Sequence, residues 1–167
     1  EATLVRHPNC AEALYQKGRA LAMLSMNNEA ISAYDRALEL NENYPEAWLY
    51  RGISRANLGQ YDPALQDYDH ALALNPAYAA AYLFRGIAQI RLNHHDEAIT
   101  SFDHALLIQP EYPEAHYYKG FALLERKLYD EAILAFDQAL ANNSRYAEAN
   151  YHKGVALTRI DRFDEAI

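Results

Sequence analysis

Residues 46–76 read EAWLYRGISRANLGQYDPALQDYDHALALNP, and the glycine at residue 52 decides how this stretch is interpreted. The residues around Gly52 follow an apolar pattern typical of a helix, in which glycine costs about 0.5–1 kcal/mol relative to alanine. The same glycine recurs every 34 residues, at Gly18, Gly52, Gly86, Gly120 and Gly154. A fixed spacing of this length is the signature of a repeat architecture.

The repeat runs through the whole chain without insertion or deletion. We number its positions 1–34, so that the glycine is position 8; alanine recurs at positions 3, 20 and 27, an aromatic residue at 24 and leucine at 28. Residues 1–10 fit the end of a preceding copy, and residues 147–167 fit the start of a fifth. The four complete copies are residues 11–44, 45–78, 79–112 and 113–146. We therefore predict one repeat domain over residues 1–167.

Each copy is predicted to form two helices joined by a short turn. The first helix covers positions 1–14 and begins with proline in two copies, Pro45 and Pro113, where the missing N–H is tolerated. The second is expected to begin at position 18 with a capping aspartate, which is Asp62, Asp96 or Asp130. Turns of three or four residues force the pair into an antiparallel hairpin. Small residues at positions 8, 20 and 27 then let the two helices approach closely.

This pattern resembles the tetratricopeptide repeat family, in which glycine at 8, alanine at 20 and 27, an aromatic residue at 24 and proline at 32 recur. The second copy matches best, through Trp48, Gly52, Ala64, Tyr68, Ala71 and Pro76. His116 and Asn150 depart from the family at position 4, where a large apolar side chain is usual. The resemblance implies an all-α fold, a right-handed superhelical solenoid of antiparallel helix hairpins whose first helices line a concave groove. It also implies binding of proteins or peptides, without catalysis.

The groove face is predicted from helical spacing, which places positions 2, 5, 9, 12 and 13 on one side of each first helix. The family geometry adds position 6. The face is richer in tyrosine and aliphatic residues than solubility requires, and aromatic anchors are typical of binding hot spots. For positions 5 and 9, packing against neighbouring first helices is the alternative. The predicted ligand-binding residues are Tyr15, Arg19, Leu49, Tyr50, Ile53, Leu83, Phe84, Ile87, Tyr117, Tyr118, Phe121, Tyr151 and His152.

One binding mode of the family is not expected here. In the subset that captures the acidic C-terminus of a chaperone, a carboxylate clamp needs lysine at 5 and asparagine at 9, then asparagine at 6, then lysine at 2 and arginine at 6. No three consecutive copies match it, because position 5 is tyrosine or leucine and position 2 is glutamate or alanine. The position-2 glutamates suit the first turn of a helix, and on the groove rim they would favour a basic partner.

Charged residues recur at two further positions, with aspartate at 25 and lysine or arginine at 7. A charged binding ladder is one interpretation of this recurrence. A repeating ion pair between neighbouring helices, worth about 0–1 kcal/mol when exposed, is the interpretation that we favour.

No phosphate-binding loop, nucleophile elbow or zinc-protease motif occurs, so we predict no enzyme activity and no cofactor. His94, His95 and Asp96 are adjacent at the predicted start of a helix. His70 and His104 share position 26 one copy apart, so we expect the two side chains to be separated by about one helix–helix distance. That separation is too long for one zinc ion, and no metal site is predicted. Cys10 lies at position 34, where we expect a buried packing residue rather than a nucleophile.

Composition limits the partner and the compartment. The net charge of −8 and the absence of a basic run argue against nucleic acid and anionic membranes, and no apolar run approaches the roughly 18 residues of a membrane span. A single cysteine excludes an internal disulfide and indicates a reducing compartment such as the cytoplasm.

The sequence thus favours an interaction scaffold that binds a peptide or helix of a partner protein. The alternative is a regulatory or substrate-recruiting repeat segment of a larger enzyme. Because the hairpins that contain residues 1–6 and 164–167 are incomplete, we also expect weak head-to-tail self-association.

Overall fold

The computed structural model describes residues 8–160, and all regular secondary structure in that range is α-helical. The helices are α1 Pro8–Met23, α2 Asn27–Leu40, α3 Pro45–Asn57, α4 Tyr61–Leu74, α5 Ala79–Arg91, α6 His95–Ile108, α7 Pro113–Glu125, α8 Tyr129–Asn142 and α9 Ala147–Arg159. The prediction of an all-α repeat solenoid is confirmed. Residues 1–6 and 164–167 lie outside the described range, so head-to-tail association stays a prediction.

The chain forms two compact units, residues 1–77 and 78–167. In the described part of the first unit, α1 packs on α2, α2 on α3 and α3 on α4. In the described part of the second unit, each helix from α5 to α8 likewise packs on the next helix in the chain. Because each helix contacts its sequence neighbours, every unit is built from stacked hairpins in which the first helices form one layer and the second helices the other.

The repeated glycine lies directly against the aromatic ring at position 24 of its own hairpin. A Cβ atom added to Gly18 or Gly86 would lie 2.5 Å from a ring carbon of Tyr34 or Phe102. The corresponding distances are 2.6 Å from Gly52 to Tyr68 and 2.7 Å from Gly120 to Phe136. No real Cβ atom fits so closely, and the predicted close approach of the two helices is confirmed.

The predicted aspartate caps are wrong. The second helices begin one residue earlier, at Tyr61, His95 and Tyr129, and no side chain caps any of them. Asp62, Asp96 and Asp130 therefore lie inside the first turn. Their negative charge is favourable there because the exposed N–H groups give that end of a helix a partial positive charge.

A left-handed residue closes each turn between the two helices of a hairpin. It is Gly59 in the second hairpin, with φ of 76°, and Ser25, Asn93 and Lys127, with φ of 60–62°, in the others. In the second hairpin the N–H of Gly59 donates to the Ala56 carbonyl at 2.9 Å and that of Gln60 to the Arg55 carbonyl at 3.0 Å. This pair of bonds is a Schellman motif, which satisfies the free carbonyls at the helix end.

The hairpins differ at positions 11 and 23, which face each other. In α3–α4 these are Arg55 and Asp67, and the Asp67 side chain is fully buried. Its carboxylate accepts bonds from Arg55 Nη1 at 2.9 Å and from Arg51 Nη2 at 2.6 Å. In α7–α8 the same positions hold Leu123 and Ala135, both buried. The same backbone arrangement therefore accommodates either a buried charge cluster or an apolar contact.

The third hairpin has a neutral polar contact at these positions. Ser101 is fully buried and donates to Gln89 Oε1 at 2.7 Å. Its hydroxyl also accepts a bond from Arg85 Nε at 3.1 Å. The facing residues thus change together from one hairpin to the next.

The recurring charges at positions 7 and 25 pair between successive hairpins. Arg51 binds Asp35 at 2.6 Å, as do Lys119 with Asp103 and Lys153 with Asp137. The ion-pair interpretation is confirmed for these three pairs. Burial lowers the pKa of Arg51, but the hydrogen bonds and charges of Asp67 and Asp35 outweigh it and raise that pKa.

Candidate functional site

The position-5 side chains of the predicted face are mostly part of the core. Tyr15, Leu49, Leu83 and Tyr117 are 2–9% exposed, whereas Tyr151 is 68% exposed. Four of the five position-5 side chains are therefore packing residues, which was the alternative to a binding role at this position. Their binding role stays a prediction, and any contact with a partner would involve only their edges.

Positions 6 and 9 are more accessible. On the first helices of the two units, the partly exposed members of the predicted set are Arg19, Tyr50, Ile53, Phe84, Ile87, Tyr118, Phe121 and His152. These residues and Tyr151 are the accessible members of the predicted set, and each unit is described separately below.

In the first unit, Tyr15 is the centre of a ring cluster that already contains its own cation. Its ring lies 5.0 Å from that of Tyr44 and 5.8 Å from that of Tyr50. The Arg19 guanidinium lies 5.4 Å from the centre of the Tyr50 ring and 5.8 Å from that of Tyr15, within cation–π range. The Tyr44 hydroxyl donates to the Glu12 carboxylate. Arg19 and Glu12 are thus satisfied within the chain.

Burial raises the pKa of Tyr15 to about 12, so its hydroxyl stays neutral at physiological pH. The hydrogen bond from Tyr44 lowers the pKa of Glu12, because that bond favours the ionised carboxylate. This part of the face therefore presents neutral rings with one carboxylate and one guanidinium.

In the second unit, an aromatic surface extends over α7 and α9. The Tyr117 ring lies 5.0 Å from that of Tyr118 and 5.7 Å from that of His152. His152 in turn lies 5.3 Å from Phe121 and 5.1 Å from Tyr151. Its Nδ1 is 2.9 Å from the Glu148 carbonyl, which fixes the imidazole among the rings. We call these five residues the aromatic surface.

A cleft of about 260 Å³ opens between α5 and α7, next to this surface. It is lined by Ile87, Ile90, Arg91, Tyr117, Tyr118 and Phe121. The sequence-based residue list omits Ile90 and Arg91, although they occupy positions 12 and 13 of the predicted face. The helical spacing could therefore have named both.

The histidines that could have suggested a metal site have other contacts. His70 stacks on Trp48 with ring centres 4.4 Å apart, and His104 stacks on Tyr82 at 5.1 Å. His116 Nε2 lies 2.8 Å from the Pro110 carbonyl. Among residues 8–160, no three His, Cys, Asp or Glu side chains come together in a way that could hold a metal ion.

Cys10 is exposed, so the predicted buried packing role is wrong; it lies in the first turn of α1, which begins earlier than predicted, at Pro8. None of the helices described between residues 8 and 160 is long and apolar enough to cross a bilayer.

Models of the tetratricopeptide repeat match residues 11–44, 45–78, 85–144 and 122–167. The chain belongs to the tetratricopeptide repeat family. In this tetratricopeptide repeat chain, the ring at position 24 packs on the glycine at position 8 of the same hairpin. No curated protein sequence matches the chain.

Solved structures of other tetratricopeptide repeat proteins share this fold. MamA from Desulfovibrio magneticus RS-1 is 22% identical with a TM-score of 0.85, over 93% of this chain and 88% of that one. YrrB, described as having an unusual peptide-binding site, is 21% identical with a TM-score of 0.76, over 92% and 79%. The first repeat domain of Spaghetti (RPAP3), bound to the HSP90 peptide SRMEEVD, is 25% identical with a TM-score of 0.70, over 72% and 95%.

Proposed function

We propose that this tetratricopeptide repeat chain is a protein-interaction scaffold that binds a peptide or helix of a partner on its first helices and performs no reaction itself. The aromatic surface of the second unit carries this proposal. Tyr118, Phe121 and His152 are partly exposed, and Tyr151, which is 68% exposed, lies 5.1 Å from His152. Rigid aromatic side chains lose little conformational entropy on binding and bury a large area, which makes them frequent hot spots.

The comparisons support a peptide as the ligand class. YrrB is described as having a peptide-binding site, and the RPAP3 domain is described with a bound peptide. The carboxylate clamp is missing from the sequence, so the partner of this chain is not expected to be the acidic C-terminus of a chaperone. The net charge of −8 favours a protein partner over nucleic acid.

The cytoplasm is the compartment that we propose for this interaction. The single cysteine forms no internal disulfide, and such cysteine usage is typical of reducing compartments.

The proposal is tested with a double variant, Phe121→Ala with Tyr151→Ala. Tyr117 is unsuitable because it is buried and its removal would disturb the core. Peptides are first selected from a random short-peptide library on the wild-type protein, and their affinities are then measured by fluorescence anisotropy. We expect the double variant to lose about 2 kcal/mol of binding free energy, roughly thirty-fold in Kd.

Leu134→Ala is the matched control, since Leu134 is 61% exposed but lies on α8, in the layer of second helices. Circular dichroism checks that all variants keep their helical content. The proposal fails if no peptide is selected, or if the selected peptides bind the folded double variant as tightly as the wild type. A loss of binding in Leu134→Ala alone would place the site on the second helices.

A further inference from the structure

We infer that the cleft between α5 and α7 receives an apolar side chain of the partner segment, and that Arg91 binds an acidic side chain next to it. This inference rests on the proposed function and specifies the chemistry of the ligand.

The cleft fits one large apolar side chain. Its volume of about 260 Å³ is smaller than that of pockets for drug-sized ligands, which begin at about 300 Å³. Ile87 and Ile90 of α5 line it together with Phe121 and the rings of Tyr117 and Tyr118. Five of the six lining residues therefore offer carbon surface, and burial of an apolar group there is favourable.

Arg91 is the charged member of that lining. It is the last residue of α5, and its side chain is exposed. Some other cations of the second unit are paired, such as Lys119 with Asp103 at 2.6 Å and Arg126 with Asp96 at 2.8 Å. By contrast, no carboxylate among residues 8–160 lies within 4.0 Å of the Arg91 guanidinium.

An unpaired guanidinium beside an apolar cleft favours a ligand with the complementary charge. Guanidinium groups bind carboxylates through two parallel hydrogen bonds, and such charge-assisted bonds are stronger than neutral ones. Arg91 and the apolar lining residue Ile90 are adjacent on the same helix. The acidic side chain of the partner is therefore expected within one or two residues of the apolar one.

The carboxylate is expected to belong to an internal acidic residue. Beyond the cleft, the aromatic surface continues over α7 to His152 and Tyr151 on α9. A segment that uses this surface extends past the cleft toward α9. The clamp residues that hold a chain-terminal carboxylate in the family are missing from this sequence, so we expect the group bound by Arg91 to be a side-chain carboxylate.

Fluorescent peptides that differ only in charge test this inference. Each is N-acetylated and C-amidated and carries a central Leu-Phe pair flanked by Asp, by Asn or by Arg. Binding is measured to the wild-type chain, to Arg91→Glu and to the control Arg145→Glu, which makes the same charge change in an exposed turn. A fourth probe ends in a free carboxylate directly after Phe, in place of the flanking Asp.

We expect the wild type to bind the Asp probe most tightly, and added salt to weaken that binding by screening the charges. Arg91→Glu should weaken the Asp probe about ten-fold or more and should bind the Arg probe better than the wild type does. Arg145→Glu should leave the order of the probes unchanged.

The inference is overturned if no probe binds the wild type, if the Asp and Asn probes bind equally, or if the Arg probe is preferred. Equal losses in Arg91→Glu and Arg145→Glu would also overturn it, because the effect would then be one of net charge. Tighter binding of the free-carboxylate probe would overturn the internal position. If library-selected peptides depend on Phe121 and Tyr151 but not on Arg91, the scaffold function stands and only this inference fails.

Discussion

The hairpins α3–α4 and α7–α8 have the same backbone arrangement but stabilise it differently. Both place a glycine at position 8 against a ring at position 24. A Cβ atom added to the glycine would lie 2.6 Å from the nearest ring carbon in α3–α4 and 2.7 Å from it in α7–α8. At positions 11 and 23, however, α3–α4 buries the carboxylate of Asp67 among guanidinium groups, whereas α7–α8 buries Leu123 against Ala135. The ring contact fixes how closely the helices approach, and the facing pair beside it can be exchanged as a unit.

The largest expected loss of unfolding free energy is in the hairpin with the buried charge, α3–α4. Asp67→Ala leaves Arg51 and Arg55, which are 12% and 22% exposed, without their shared carboxylate. Loss of one partner from a buried ion pair costs about 3–5 kcal/mol. Urea unfolding followed by circular dichroism measures the change. Adding Arg55→Leu recreates the Leu–Ala contact of α7–α8, so the double variant should regain part of the loss.

Asp103→Ala is the control for this prediction, because Asp103 is 52% exposed and its ion pair with Lys119 is worth only about 0–1 kcal/mol. If Asp67→Ala is no more destabilising than Asp103→Ala, the buried cluster does not stabilise α3–α4. A double variant that is less stable than Asp67→Ala would show that the facing pair is not exchangeable.

The second prediction concerns the contact that the two hairpins share. Gly120→Val places a branched side chain against the Phe136 ring, and Gly52→Val does the same against Tyr68. Overpacking of this kind costs about 1–3 kcal/mol, and we expect a similar value in both hairpins because the ring lies at nearly the same distance in each. Thermal and urea unfolding measure it. Ala141→Val, at an exposed site on α8, controls for the β-branched side chain.

An unchanged unfolding midpoint in either glycine variant would contradict the close-contact interpretation. A large difference between the two variants would show that the surrounding pair at positions 11 and 23 also controls how far the ring can move.

The smallest effect is expected in the turns. Position 15 is left-handed in both hairpins, but it is Gly59 in one and Lys127 in the other. Because a residue with a Cβ atom is strained in this conformation, Lys127→Gly should stabilise the chain by about 0.5–1 kcal/mol. Gly59→Ala should destabilise it by a similar amount, although no atom lies within 4 Å of the added Cβ. A stabilising Gly59→Ala in urea unfolding would refute the backbone explanation.

The repeat determines which parts of this structure the sequence predicts. Spacing identified the hairpins and the glycine contact, because both recur in every copy. It did not identify the helix starts, since an aspartate at position 18 suits both a cap and the first turn, as Asp62 shows. It also did not separate buried from accessible members of the groove face. Tyr117 and Tyr151 share position 5, yet only Tyr151 is exposed, and that difference depends on packing between hairpins.

The exchange between Arg55–Asp67 and Leu123–Ala135 could have been read from the sequence. The two positions change together across copies, but neither belongs to the family pattern. A comparison with the family consensus therefore does not reveal the exchange. The cleft residue Arg91 was missed for a different reason. Position 13 belongs to the predicted face, but every residue that was named on that face comes from position 5, 6 or 9.

Arg51 has a consequence for how the first unit unfolds. The stability of a repeat protein is approximately a sum of terms for single hairpins and terms for the contacts between neighbours. Arg51 contributes to both, because the same guanidinium binds Asp67 inside its own hairpin and Asp35 of the hairpin before it. When α3–α4 opens, the contact to α2 is therefore lost at the same moment. One side chain thus adds to the packing between α2 and α3 in coupling the unfolding of the two hairpins.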